Sequence, residues 1–195
     1  MTFDTSDWVC NLMAIDPGSS SLGVAIYELD LKTFDIIQTS AFTVHATELS
    51  QYSKHASNQY GDRFARFAAM ENELMELFES IRPSIVICES PFFSRFTPSA
   101  FSVLTELVSI IQKTLFDFNN QIPFFKVDPP TAKKAIGAKG NAKKDDMTIA
   151  LEKVADKLKL VNPVTELDEH AVDACAIGYH GYKKYVLDGG GLNGK

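Results

Sequence analysis

The chain has 195 residues and a formal net charge of −6, with 45% hydrophobic and 23% charged residues. This length and composition support one sizeable core and exclude a largely disordered chain, and the negative charge argues mildly against non-specific nucleic-acid binding. The longest apolar runs are too short to span a bilayer and the N-terminus has no basic region, so we expect a cytoplasmic protein with no membrane partner.

The first part of the chain predicts three consecutive strands. Asn11–Asp16 is apolar enough for a buried strand, and Leu22–Leu29 and Phe34–Val44 follow it after short, turn-rich links. Short links of this kind favour an antiparallel meander. The polar segment Thr47–Asn58 is predicted to be a loop or a poorly ordered insert.

Helices alternate with two further strands in the rest of the chain. Asp62–Ile81 has apolar residues close to helical spacing, and Pro83 ends that helix. The following strand, Ser84–Glu89, can return parallel to the first strand through this helical crossover. The remaining predicted elements are a helix at Ser99–Phe118, a strand at Pro123–Val127, and helices at Asn141–Leu160 and Asp168–Tyr185.

This element order predicts an α/β fold, a mixed five-stranded sheet with helices on both faces, as in the ribonuclease H-like fold. We expect one domain over residues 1–187 and a flexible, glycine-rich tail over residues 188–195. In such a sheet the first and fourth strands lie side by side. Asp16 and Glu89, at the ends of those strands, would then be neighbours.

Acidic residues at the edges of apolar elements form the first candidate site. Asp16 and Glu89 each end an apolar strand, and His170 and Asp173 share one face of a helix because they are three residues apart. Carboxylates suit Mg²⁺ or Mn²⁺, with imidazole acceptable to Mn²⁺. The set predicts a catalytic centre in which two ions promote phosphodiester hydrolysis. The alternative is structural: Asp16 caps a turn, and Asp173 pairs with a lysine.

A basic segment lies between Thr131 and Lys144, which contains five lysines and no acidic residue. Its glycines, Gly137 and Gly140, permit close approach of the backbone to phosphate, and its lysines neutralise phosphate charge. A solvated, flexible loop is the simpler interpretation of such a run. The absence of acidic residues favours a DNA-facing loop that leads into a helix N-terminus, with these candidate contacts: Lys133, Lys139, Lys143 and Lys144.

An aromatic segment, Pro91-Phe92-Phe93-Ser94-Arg95-Phe96, closely follows Glu89. An exposed aromatic ring beside a nuclease centre can stack on an unpaired base or enter a base step. Packing in the core is about equally compatible with any one of these phenylalanines.

The glycine-rich turn after the first strand supports a second functional hypothesis. Asp16-Pro17-Gly18, followed by Gly23, is also similar to the phosphate-binding turn of actin-like ATPases. This predicts an ATP-binding or phosphotransfer module as the alternative function. The chain is short for two such domains, and no second Asp-x-Gly hairpin lies between apolar strands.

From about Leu12 to about Tyr182, the chain resembles the RuvC-like Holliday junction resolvases. The resemblance rests on motifs that occur in the family's order and at appropriate separations. The matching segments are Ile15-Asp16-Pro17-Gly18-x4-Gly23, Glu89-x2-Phe92, Lys133 with Gly140-Asn141-Ala142-Lys143-Lys144, and His170-Ala171-Val172-Asp173-Ala174.

The resemblance implies a bacterial homodimer that binds a four-way DNA junction and nicks two opposed strands symmetrically with Mg²⁺ or Mn²⁺. It assigns Asp16, Glu89 and Asp173 as metal ligands, places His170 at the remaining acidic position, and gives Phe92 the stacking role at the junction centre.

The chain also departs from the family pattern. Glu166, Asp168 and Glu169 lie near His170 and offer a carboxylate in its place. The Thr47–Asn58 segment and the extra phenylalanines, Phe93 and Phe96, leave sequence preference and junction specificity open. A phage-encoded member, which would cut branched DNA more broadly, is compatible with these departures.

Overall fold

Five strands form one mixed sheet in the computed structural model, which describes residues 8–92 and 98–189. Their order across the sheet is β3-β2-β1-β4-β5. The central strand β1 pairs antiparallel with β2 and parallel with β4, which confirms the predicted side-by-side placement of the first and fourth strands. The strands are β1 (Val9–Pro17), β2 (Ser21–Asp30), β3 (Ile36–His45), β4 (Ile85–Glu89) and β5 (Phe124–Val127).

Helices cover both faces of this sheet, as the sequence predicts. No helix among residues 8–92 and 98–189 has the length and apolar character needed to cross a membrane. The α-helices are α1 (Lys54–Tyr60), α2 (Asp62–Ile81), α3 (Pro98–Phe118), α4 (Pro129–Ala135), α5 (Lys144–Glu152), α6 (Ala155–Leu158) and α7 (Glu169–Gly181).

The hydrophobic core consists of two layers, one on each side of the sheet. Successive side chains of a strand point to opposite faces, so β1 contributes Leu12 and Ala14 to one layer and Met13 and Ile15 to the other. Helices α4 to α7 contribute to the first layer, and α2 and α3 to the second. Burial on both faces explains why the central strands are almost continuously apolar.

The structure corrects three local predictions. Within the segment predicted as a loop, Ala46–Glu48 forms a 3₁₀ turn and Lys54–Tyr60 forms α1, whose N-cap Ser53 accepts a hydrogen bond from the Ala56 N–H. The predicted helix Asn141–Leu160 is two helices, α5 and α6, interrupted at Lys153 and Val154. The basic segment begins within α4, which sequence reasoning missed although Asp128 is an N-cap followed by prolines.

The last predicted helix, Asp168–Tyr185, is also more complex than its pattern indicates. It consists of α7, with Asp168 as its N-cap, and a π-helical turn over Tyr182–Leu187. Residues 190–195 of the predicted tail lie outside the described residues, as do Phe93 and Phe96.

Candidate active site

Asp16 and Glu89 lie next to each other at the ends of two parallel strands. Ile15 pairs with Cys88, so the next residue of each strand is Asp16 on β1 and Glu89 on β4. Both continue the alternation that places Leu12 and Ile87 in the layer beneath α7. Strand register and alternation therefore direct both carboxylates towards the same helix.

Helix α7 crosses β2 at very short range because residue 23 is glycine. A Cβ atom at Gly23 would lie 2.1 Å from the carbonyl oxygen of His170 and 2.4 Å from its carbonyl carbon. Glycine allows this contact because it has no side chain, and the contact brings the first turn of α7 against the β1–β2 turn. Gly23, which belongs to the first matching motif, therefore has a direct packing role.

His170 and Asp173 complete the cluster from α7. Nδ1 of His170 lies 2.7 Å from Oδ2 of Asp16, which is only 7% exposed. Asp173 is one turn further along the same face, and its charge interacts with that of Asp16. The structure thus brings together all four residues that the sequence predicts for this site: Asp16, Glu89, His170 and Asp173.

The carboxylates of the cluster are buried close to one another, and this raises the pKa values of two of them. Burial, together with the charges of Asp16 and Asp173, raises the pKa of Glu89 from 4.5 to about 8. Burial and the charge of Asp16 raise the pKa of Asp173 from 3.8 to about 6. The hydrogen bond to Asp16 raises the pKa of His170, against the opposing effect of burial. A cation near these carboxylates would relieve their repulsion.

Asp168 caps α7 and links this helix to β3. Its Oδ1 accepts hydrogen bonds from the Thr43 hydroxyl at 2.5 Å and the Ala171 N–H at 2.9 Å. Burial alone would raise the pKa of Asp168, but these hydrogen bonds outweigh it and lower the pKa. Asp168 therefore fixes the start of α7 to β3. Sequence reasoning missed the role of Thr43, whereas an aspartate before an apolar helix is a recognisable N-cap signal.

A cleft of about 910 Å³ lies beside the cluster and is lined by three of the four lysines predicted to contact DNA. Lys133, Lys143 and Lys144 line it, whereas Lys139 does not. Lys133 donates from Nζ to the carbonyl of Ala142 at 2.9 Å, and its charge lowers the pKa of Glu89. His45 also lines the cleft, although no pattern in the sequence distinguished it.

The chain was compared with known proteins by sequence and by fold. No protein-family model matches the chain. It is 24% identical to the crossover junction endodeoxyribonuclease RuvC of Pseudothermotoga lettingae over 164 residues, covering 84% of this chain and 91% of that protein. It is 27% identical to the RuvC of Brachyspira hyodysenteriae over 169 residues, covering 85% and 89% of the two chains. The predicted resemblance to the RuvC-like resolvases is confirmed.

The RuvC-like fold is also shared with solved structures. Thermus thermophilus RuvC in complex with a Holliday junction substrate superposes with a TM-score of 0.63 at 17% identity, covering 92% of this chain and 97% of the other. The yeast mitochondrial Holliday junction resolvase Ydc2 gives a TM-score of 0.62 at 12% identity, covering 89% and 78%. At these identities the superpositions establish the α/β fold.

The side chains of the acidic cluster are of the kinds that bind a divalent cation. Carboxylates and an imidazole are ligands for Mg²⁺ and Mn²⁺, and the raised pKa values of Glu89 and Asp173 reflect a repulsion that such a cation would relieve. Within residues 8–92 and 98–189, however, no three His, Cys, Asp or Glu side chains are already grouped as a metal-binding set. Asp16 instead contacts His170, so the side chains must reorient to close around an ion.

The packing of α7 against the β1–β2 turn does not favour the alternative ATP-binding role. A Cβ atom at Gly18 would lie 3.0 Å from Cε1 of His170, so the imidazole already covers the Asp16-Pro17-Gly18 turn. A phosphate group bound at this turn would have to share the space with the His170 side chain.

Glu89→Gln is expected to stabilise the protein when divalent cations are removed. Because folding raises the pKa of Glu89 from 4.5 to about 8, ionising this group opposes folding above pH 8, and the opposition disappears as the pH falls to 4.5. The free energy of unfolding lost through ionisation of Glu89 is at most about 5 kcal/mol. If Glu89→Gln recovers half of this, its Tm should be roughly 5–10 °C above that of the wild type.

Thermal unfolding in EDTA at pH 5 and pH 8.5 checks this expectation. The Tm gain of Glu89→Gln should be large at pH 8.5 and small at pH 5. Glu152→Gln, at an exposed position on α5, is the matched control. A gain that is equal at the two pH values would contradict the burial argument.

Proposed function

We propose that this chain is a structure-selective DNA endonuclease that resolves four-way junctions by paired, symmetric nicks. The names of its RuvC relatives support this substrate and reaction, and so does the similarity of its fold to a RuvC solved with a Holliday junction. We further propose that residues 1–187 act as one nuclease domain, that two copies form the active enzyme, and that Mg²⁺ or Mn²⁺ is required.

The observation that carries the proposal is the convergence of Asp16, Glu89 and Asp173 with His170 beside a lysine-lined cleft. Buried carboxylates that raise one another's pKa are costly to a fold, and such clusters are characteristic of functional sites. Their oxygen atoms are the donors that two hard cations need in order to activate a water molecule and stabilise the leaving oxygen of a phosphodiester.

In this proposal each group of the cleft has a separate task. Asp16, Glu89 and Asp173 would hold the ions, and His170, whose Nδ1 contacts Oδ2 of Asp16, would complete the ligand set. Lys133, Lys143 and Lys144 hold phosphates of the bound strand, which positions the scissile bond against the carboxylates. Lys139 lies outside this cleft and would contact phosphate only further along the DNA.

Incubation with synthetic DNA tests the proposal directly. Purified protein is mixed with a labelled four-way junction or a linear duplex of the same sequence, with and without Mg²⁺, and nicks are mapped on every strand. We expect symmetric nicks on two opposed strands of the junction, only when Mg²⁺ is present. Equal cutting of the linear duplex, or no cutting in Mg²⁺ and Mn²⁺, would refute it.

Two sites are needed for paired nicks, so the proposal includes a homodimer. The mass of the protein in solution, measured by light scattering with and without junction DNA, checks this. A complex whose mass corresponds to one protein chain per junction would contradict the homodimer.

Phe92→Ala is expected to slow cleavage of an intact junction more than cleavage of a junction that already carries a nick. The Phe92 side chain is 61% exposed and lies three residues after Glu89, so its ring is free to stack on a base next to the site. A base–aromatic stack is worth about 1–3 kcal/mol, so the intact junction should be cut roughly tenfold more slowly. A nicked junction is already open at its centre, so its cleavage rate should fall less.

Single-turnover cleavage rates on the two substrates provide the measurement. Phe116→Ala is a matched control, because Phe116 on α3 is 60% exposed but does not follow an active-site strand. Equal slowing of both substrates by Phe92→Ala would remove the proposed role in opening the junction.

A further inference from the structure

Two residues that line the cleft, one on α5 and one on α7, form an ion pair. Nζ of Lys144, the first residue of α5, contacts Oε2 of Glu169, the first residue of α7. Both residues line the cleft of about 910 Å³. The lysine that the proposed function assigns to a DNA phosphate is therefore already held by a carboxylate of the same chain.

Glu169 contacts Lys144, and its charge also helps to raise the pKa values of His170 and Asp173. Asp173 belongs to the cluster with Asp16, and Asp168 is used by Thr43 and the Ala171 N–H. Glu169 is 41% exposed in its side chain and points to Lys144, which is 72% exposed. An ion pair between side chains this exposed adds little to the stability of the fold. The main consequence of the ion pair is that it competes with other anions for Lys144.

A DNA phosphate and the Glu169 carboxylate present the same chemistry to Lys144. Each offers anionic oxygens to an ammonium group, so only one of them can take its full charge. Without Glu169, binding one phosphate at Lys144 would release one more counterion from the DNA. With Glu169 present, the freed carboxylate must be solvated and must attract a cation of its own, which cancels that release.

We infer that Glu169 is an internal competitor for DNA phosphate at Lys144 and limits the affinity of the cleft for DNA. The inference rests on the proposed function, because it takes Lys144 as a phosphate contact. Strands that reach the cleft must first displace the carboxylate. Linear duplex bound through few other contacts then dissociates at moderate salt, whereas a junction held by many contacts remains bound.

Fluorescence anisotropy with labelled four-way junction and linear duplex, in EDTA so that no DNA is cut, tests the inference. Four proteins are compared: wild type, Glu169→Gln, Lys144→Met and the double variant. Glu169→Gln should bind both DNAs roughly fivefold more tightly at 50 mM salt, and its advantage should shrink roughly 3.5-fold at 200 mM because one more counterion is released. Lys144→Met should bind more weakly, and adding Glu169→Gln to it should change the affinity little.

Glu166→Gln is the matched control. It removes the same charge three residues away, from an exposed side chain that does not line this cleft, and should leave the affinity within about twofold of wild type. Thermal unfolding of each variant shows that it is folded. Unchanged affinity in Glu169→Gln, or an equal gain with and without Lys144, would overturn the inference.

The binding experiment and the cleavage experiment can fail independently of each other. A protein that binds DNA but never nicks a junction in Mg²⁺ or Mn²⁺ refutes the endonuclease and leaves the competition at Lys144 measurable. A nuclease whose affinity ignores Glu169 refutes the competition alone. A wild-type protein that binds no DNA refutes both.

Discussion

Asp16→Asn is expected to abolish cleavage of a four-way junction while leaving junction binding close to wild type. Asp16 is 7% exposed, contacts His170, and contributes to the raised pKa values of both Glu89 and Asp173. It therefore lies at the centre of the proposed ion site. Loss of its charge should lower the single-turnover rate by about 10³-fold or more, since metal-ion catalysis supplies several kcal/mol of transition-state stabilisation.

The asparagine variant separates charge from structure. Its side-chain oxygen can still accept a hydrogen bond from the His170 imidazole, so the turn and the start of α7 should keep their positions. Affinity for the junction in EDTA and the Tm are measured alongside the rate. Asp156→Asn, an exposed change on α6, should leave the rate unaltered. Cleavage by Asp16→Asn at the wild-type rate would remove Asp16 from the centre of the mechanism.

Gly23→Ala is expected to cause a large loss of both stability and activity. The added Cβ would lie 2.1 Å from the His170 carbonyl oxygen and 2.4 Å from its carbon, and these backbone atoms cannot rotate away. Helix α7 must move off β2, at an estimated cost of about 3 kcal/mol, which corresponds to a Tm loss of roughly 6–12 °C. The same movement carries His170 and Asp173 away from Asp16, and a displacement of about 1 Å at a reacting centre can reduce the rate about 10²-fold.

Gly181→Ala is the graded comparison for this prediction. A Cβ atom at position 181 would meet the terminal Cδ1 of Ile87 at 1.6 Å, but the next nearest atom, Cγ1, lies at 3.0 Å. Because the tip of an isoleucine can change rotamer, the Tm loss should be smaller than for Gly23→Ala. Thermal unfolding and single-turnover rates of the two variants provide the measurement. A Gly23→Ala protein with wild-type Tm and rate would show that α7 does not depend on this contact.

Patterns within single segments already determined most of the fold. The period of apolar residues places a helix at Asp62–Ile81 and a strand ending at Glu89, and the structure has both. The order of strands and helices is sufficient to predict a mixed sheet with β1 beside β4, because a helix between two strands permits a parallel crossover. The prediction that Asp16 and Glu89 are neighbours follows from that topology alone.

Local signals were weaker where the chain changes direction over a few residues. The polar segment before residue 62 has no apolar face of its own, so periodicity could not reveal α1, which has no buried residue. Helix α4 was hidden by its two prolines, which suggest the end of a strand unless Asp128 is recognised as a cap. The break between α5 and α6 leaves no proline or glycine to mark it.

Residue types and their order along the chain therefore identified the acidic cluster, the basic segment and the element on which each lies. Only the tertiary structure decided how those elements meet: that α7 rests on Gly23, that Thr43 holds Asp168, and that Glu169 reaches Lys144 instead of the carboxylate cluster. The physical reason is that periodicity and turn signals extend over a few residues. A contact between residues more than a hundred positions apart, such as Thr43 with Asp168, depends on how closely two packed elements approach.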